Sequence, residues 1–151
     1  MIAYLDTSSL VKLYVEESDS GRVRDLVESV DVVATSRVAY TEAMAAFGRR
    51  LREKSFSRKE FREMIRALER DWQHFAVLDL NEAAAGALAI KHALRAFDAI
   101  HLEAALAIRQ QAKGNEVGFS SFDGALNAAA SREGLRVIGL EPRITRMDHR
   151  P

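Results

Sequence analysis

Short apolar runs alternate with longer stripes of helical spacing along the chain. Ile2 to Leu5 is an apolar run that reads as a strand and gives way to a polar turn at Asp6 to Ser9. Helices are expected over Leu10 to Val15 and Ser20 to Val30, with Asp31 to Ala34 as a second strand. Ser36 can cap a helix running to about Lys54. Ser57 and Glu60 make a capping box, S-R-K-E, for the next helix. There Phe61, Met64, Ile65, Leu68, Trp72 and Phe75 recur at helical spacing. Ala76 to Leu80 reads as a third strand, and Asn81 caps a helix through Ile90. From Asp98 to Gln111 runs an Ala-rich helix that is apolar almost all round, which predicts burial. Val117 to Ser120 and Leu135 to Leu140 are two more strands, with a helix from Asp123 between them.

Strands separated by helices predict a mostly parallel sheet covered on both faces. The expectation is one three-layer α/β/α domain over residues 1–140. Both prolines, Pro142 and Pro151, fall in the segment 141–151, which loses apolar periodicity and is expected to be a loosely held tail. Nothing rich in Pro, Gly or Ser divides the earlier residues, and no repeat occurs. In such sheets the functional crevice lies beyond the carboxyl ends of the strands.

Composition removes several function classes. Lys+Arg and Asp+Glu are both 22, so the net charge is zero and no bulk positive charge draws in nucleic acid. A local patch or a metal remains available for that. The chain has no cysteine, which excludes disulfide scaffolds, thiolate metal sites and cysteine nucleophiles. It also fits a reducing, cytoplasmic setting. The first residues, MIAYLDTSSL, carry neither the basic stretch nor the apolar run of a signal peptide. No stretch approaches the roughly 18 apolar residues of a membrane span. A G-x-x-x-x-G-K-[ST] phosphate loop is absent, and Ser8 and Ser9 lack a His in any triad-like arrangement.

Four acids fall near the predicted strand ends. Asp6 follows the first strand, Glu42 lies in the helix after the second, Asp98 opens the Ala-rich helix, and Asp123 follows VGFSS. Each Asp also reads as a helix cap. Glu42 shares a helical face with Val38, Ala39, Ala45 and Ala46, where a carboxylate is costly unless it is paired or metal-bound. Arg49 and Arg37 are its candidate ion-pair partners. Crowded carboxylates repel one another, and a hard divalent cation relieves this. Oxygen-only ligands suit Mg²⁺ or Mn²⁺, which can promote in-line displacement at phosphorus.

At these residues the chain resembles the PIN-domain family, and within it the VapC-like toxin ribonucleases. The matching segments are YLDTSSLVKLY, TSRVAYTEAMAAF, LRAFDAIHLEAAL and FSSFDGALNAAASREGLRVI, in the family's order. The resemblance implies an acidic quartet at Asp6, Glu42, Asp98 and Asp123, which bind the metal and carry catalysis. It implies Mg²⁺- or Mn²⁺-dependent endoribonuclease activity on RNA, neutralisation by a small cognate antitoxin, and homodimerisation. It also matches Ser121 to a hydroxyl that orders the site and Ser8 to a small polar position beside the first Asp. Glu103 and Gly124 depart from the pattern. Glu103 lies five residues from Asp98, about 140° away on a helical wheel, and reads as structural.

His101, one turn after Asp98, reads as a hydrogen-bonded core residue. Lys12, Arg37 and Arg95 are candidates for RNA phosphates. The basic stretch from Arg49 to Arg62 is interleaved with Glu53 and Glu60 and reads as a solvated helix hairpin. Two alternatives stand beside the toxin reading. One is a non-catalytic interaction module whose acids are only caps, and the other a nuclease of RNA or DNA processing without an antitoxin.

Overall fold

The computed structural model describes residues 1–140 of the chain, so the expectation for the tail at 141–151 lies outside the described residues. Within them a five-stranded, all-parallel sheet is flanked by seven helices. The strands are β1 (Ile2–Leu5), β2 (Val32–Ser36), β3 (Ala76–Leu78), β4 (Val117–Ser120) and β5 (Arg136–Val137). Their order across the sheet is β3-β2-β1-β4-β5. The helices are α1 (Thr7–Val11), α2 (Ser20–Ser29), α3 (Val38–Arg52), α4 (Arg58–Trp72), α5 (Glu82–His92), α6 (Ala96–Gln111) and α7 (Gly124–Arg132).

The strands read as continuous apolar runs because both of their faces are covered. Side chains alternate along β1. Ala3 and Leu5 join Leu10, Val23, Phe47 and Leu68 in one core, under α1 to α4. Ile2 and Tyr4 join Leu102, Phe119, Leu126 and Ala130 in the other, under α6 and α7. In that second core Tyr4 stacks on Phe119, with ring centroids 5.7 Å apart and planes 6° from parallel. Gly118 has no room for a side chain: a Cβ there would come within 2.2 Å of the Ile138 side chain.

Several element boundaries differ from the expectation. The first helix starts at Thr7 and ends at Val11, instead of running from Leu10 to Val15. Asp6 is its cap and accepts from the Ser9 N–H, so the polar turn becomes the first helical turn. Residues 12 to 14 then turn tightly, each N–H bonding three residues back. Ser36 closes β2 and Arg37 takes the cap position of α3. β3 and β5 are shorter than predicted, and Gly139, at φ +81°, turns the chain away after β5. The capping box at Ser57 and Glu60 forms as expected.

Candidate active site

β1 is followed on one side by β2 and β3, and on the other by β4 and β5. The order reverses between β1 and β4, which makes the crevice at their carboxyl ends the place to look for chemistry. Leu5 pairs with Ser120 in the parallel register, so the next residues, Asp6 and Ser121, leave the sheet side by side.

Asp6 is only 4% exposed. Its carboxylate accepts from Ser8 Oγ at 2.7 Å, Ser9 N at 3.0 Å and Ser121 Oγ at 2.6 Å. Burial pushes its pKa above the ordinary value, even though those three donors and nearby His101 pull the other way. The two serines also fasten the crevice. Ser121 Oγ accepts from the Asp123 N–H at 3.0 Å, and Ser8 Oγ accepts from the Phe122 N–H at 2.9 Å.

Asp123 caps α7 through the Leu126 N–H at 2.9 Å. Its other oxygen accepts from Arg95 Nη2 at 3.1 Å, while Arg95 Nε donates to Asp98 at 3.0 Å. One guanidinium therefore bridges two of the four acids. Asp98 is not the opening residue of its helix: α6 begins two residues earlier, with Arg95 at the cap position and Asp98 in the first turn. The cap reading thus holds for Asp6 and Asp123 and fails for Asp98.

Glu42 enters from α3, on the opposite face of the sheet from α6. Neither expected arginine pairs with it: Arg37 bonds Asp79 at 2.6 Å. Its Oε1 instead accepts from Thr7 Oγ1 at 2.7 Å and lies 2.8 Å from His101 Nε2. Burial raises the pKa of Glu42, but the hydrogen bonds from His101 and Thr7 together outweigh it, and the net shift is downward. His101 is buried and hydrogen-bonded, as expected of a core residue, yet it also touches a site residue. Glu103 is buried on α6 with its carboxyl pushed up by burial, and it takes no part in the bonds that tie the four acids.

Ser121 and Arg95 link Asp6, Asp123 and Asp98 by hydrogen bonds, and Glu42 joins them only through Thr7, the residue after Asp6. They do not close into a ring. Among the described residues no three Asp, Glu or His side chains lie close enough to enclose a metal ion. Internal donors hold each carboxylate, and the Arg95 guanidinium sits between Asp98 and Asp123. The donor chemistry nonetheless fits a hard cation: the four acids offer only oxygens, Asp6 is buried, and the Asp98–Asp123 pair already accepts a shared positive group. Sequence spacing reaches neither Thr7 nor the bridging geometry of Arg95. The one signal for Thr7 is its place directly after Asp6 at a strand end.

Beside the acids lies a cavity of about 460 Å³ lined by Thr7, Ser8, Lys12, Glu42, Arg49 and Phe122. Lys12 sits 4.5 Å over the Phe122 ring and donates to Glu17 and the Ser18 carbonyl. Arg49 and Arg50 line this cavity too, so part of the basic stretch faces the site.

A family model for the PIN domain matches residues 3–148. Ribonuclease VapC45 of Mycobacterium tuberculosis (strain CDC 1551 / Oshkosh) is 33% identical over 143 residues, covering 90% of this chain and 94% of that protein. Among solved structures, Mycobacterium tuberculosis VapC20, a sarcin–ricin loop cleaving toxin, superposes with a TM-score of 0.61 at 19% identity, over 93% of this chain and 99% of that one. A toxin–antitoxin complex from Klebsiella pneumoniae gives a TM-score of 0.54 at 16% identity, over 80% and 86%. The two structural likenesses speak to the fold alone.

Proposed function

The chain belongs to the PIN-domain family and is a VapC-type ribonuclease toxin of a toxin–antitoxin system; from that premise we propose that cleavage is seated on Asp6, Glu42, Asp98 and Asp123. One observation carries this: the four acids come from four separate parts of the fold and meet at the β1/β4 switch point, Asp6, Asp123 and Asp98 linked by hydrogen bonds through Ser121 and Arg95, and Glu42 held by Thr7, the residue after Asp6. The cap reading accounts for two of them and leaves Glu42 and Asp98 without a role.

Asp6, Glu42, Asp98 and Asp123 would hold Mg²⁺ or Mn²⁺. When bound, such a cation supplies positive charge that offsets the phosphate and lowers the barrier to in-line attack by water. Ser8 and Ser121 orient Asp6, since each gives it a hydroxyl proton while accepting a backbone N–H from the loop after β4. Thr7 orients Glu42. The RNA backbone follows the cavity past Lys12, Arg49 and Arg50, where cations can meet its phosphates. This gives a chain of zero net charge a local route for a polyanion.

The same acids define the partner chemistry. A small antitoxin would cover the crevice and present Arg or Lys to it, as Arg95 already does from within. Ile90, 87% exposed on α5, and Phe97, 54% exposed at the start of α6, are apolar side chains that a second copy of the chain would cover. No helix among the described residues is long and apolar enough to cross a membrane, and the proposed place of action is the cytoplasm.

The test is cleavage of total RNA by the purified chain. Activity is expected with Mg²⁺ or Mn²⁺ and lost in excess EDTA, and it should be suppressed in the complex with the protein encoded beside it. Full activity in excess EDTA would contradict the metal mechanism.

A further inference from the structure

Behind Glu42 lies a row of buried polar groups that cleavage does not by itself require. Tyr4, fully buried on β1, directs its hydroxyl to His101 Nδ1 at 2.8 Å. The other ring nitrogen, Nε2, lies 2.8 Å from Glu42 Oε1 and 3.0 Å from Thr7 Oγ1. Thr7 Oγ1 donates to the same Glu42 oxygen at 2.7 Å. Residues of α1 and α6 thus meet at one carboxylate oxygen of α3, and β1 backs the α6 residue from behind.

Both nitrogens of the ring are held by side chains. Tyr4 Oη meets Nδ1, and whichever of the two donates, the contact fixes the ring's orientation. Facing the Glu42 carboxylate, Nε2 carries a proton whether the ring is neutral or doubly protonated. The Nε2–H and the Thr7 O–H both donate to Glu42 Oε1. Oε2 receives no donor among the described residues, and Glu42 lines the cavity beside the acids. A Glu side chain on a partly exposed helix face otherwise samples many rotamers. Here two donors on Oε1 restrict it.

We propose that Tyr4 and His101 are positioning residues: Tyr4 holds the His101 ring from Nδ1, so that Nε2–H together with Thr7 clamps Glu42 Oε1 and leaves Oε2 for the cation. This rests on the reading of Glu42 as a member of the cleavage site. Removing the Tyr4 hydroxyl takes away the partner of Nδ1 that fixes the ring. Nε2–H is then held less firmly against Glu42, and the clamp loosens.

The experiment combines Mn²⁺ binding, titrated without RNA, with cleavage kinetics, for Tyr4→Phe in the wild-type and Glu42→Gln backgrounds. Tyr4→Phe keeps the ring stack on Phe119 and removes one oxygen. Mn²⁺ affinity and kcat are expected to fall about tenfold to a hundredfold, the usual cost of losing a partner behind a ligand. In the Glu42→Gln background the same change should leave Mn²⁺ affinity unmoved. An equal loss in both backgrounds would overturn the proposal, and so would wild-type Mn²⁺ affinity in folded Tyr4→Phe. If Tyr4→Phe does not fold, His101→Gln and His101→Leu replace it. The amide N–H of Gln can still reach Oε1, so His101→Gln should bind Mn²⁺ better than His101→Leu, and equal binding by the two would overturn the proposal. Wild-type behaviour of Glu42→Gln itself would overturn the site reading together with this one. Loss of Mn²⁺ binding in Glu42→Gln with none in Tyr4→Phe overturns the positioning role alone.

Discussion

Asp98→Asn should lose RNA cleavage by about a thousandfold, the scale of several kcal/mol of transition-state stabilisation, and still melt close to the wild type. Asp98 suits this test because, among the described residues, its hydrogen-bonded partner is the exposed Arg95 guanidinium. An exposed pair of that kind contributes at most about 1 kcal/mol, and Asn retains an acceptor for it. Asp98 is also not a cap, so isosteric neutralisation removes no helix-end bond. A drop in activity without a drop in melting temperature separates a chemical role from a structural one. Wild-type cleavage in Asp98→Asn would remove it from the site whatever becomes of the other three acids.

Phe119→Ala should cost about 3–5 kcal/mol of stability, lowering the melting temperature by something on the order of 10 °C. Phe119 is fully buried on β4, beside the central strand, in the core shared by Leu102, Leu126 and Tyr4. Neighbours pinned to strands and helices on every side can collapse little into the space its ring leaves. The ring also supports Tyr4 from one face, and Tyr4 in turn bonds His101 behind Glu42. Cleavage at a temperature where the variant is still folded should therefore fall as well. Phe119→Leu, which refills most of the volume, should recover much of both. A shift of less than about 3 °C in Phe119→Ala would show that this core repacks far more readily than its contacts indicate.

The strand-end acids are legible in the sequence for a physical reason. A parallel sheet buried on both faces must be written as apolar runs, and the first polar residue after such a run marks a carboxyl end. That logic reaches Asp6 and Asp123 directly. Glu42 is legible as an acid on an apolar stripe. Its partners are not, because Thr7 and His101 come from 35 and 59 residues away and no local spacing reports them. Local spacing instead suggests Arg49 and Arg37, which face the cavity and Asp79. The start of α1 escapes a reading by apolar spacing because the turn D-T-S-S is recruited into the helix once Asp6 caps it. The same reading starts α6 two residues late, at Asp98, since the exposed Ala96 and Phe97 carry no buried stripe. The Arg95 bridge is a side-chain arrangement across α6 and the loop after β4. It depends on how those elements dock, which periodicity does not encode.

If four carboxylates serve one cation, titration of Mn²⁺ into the purified protein shows it most directly. Wild type and the variants Asp6→Asn, Glu42→Gln, Asp98→Asn and Asp123→Asn are compared in the same buffer. The predicted result is saturable binding to the wild type that each substitution weakens by about tenfold or more, the scale seen when a metal site loses a group that holds it. Wild-type affinity in all four variants would contradict the shared site.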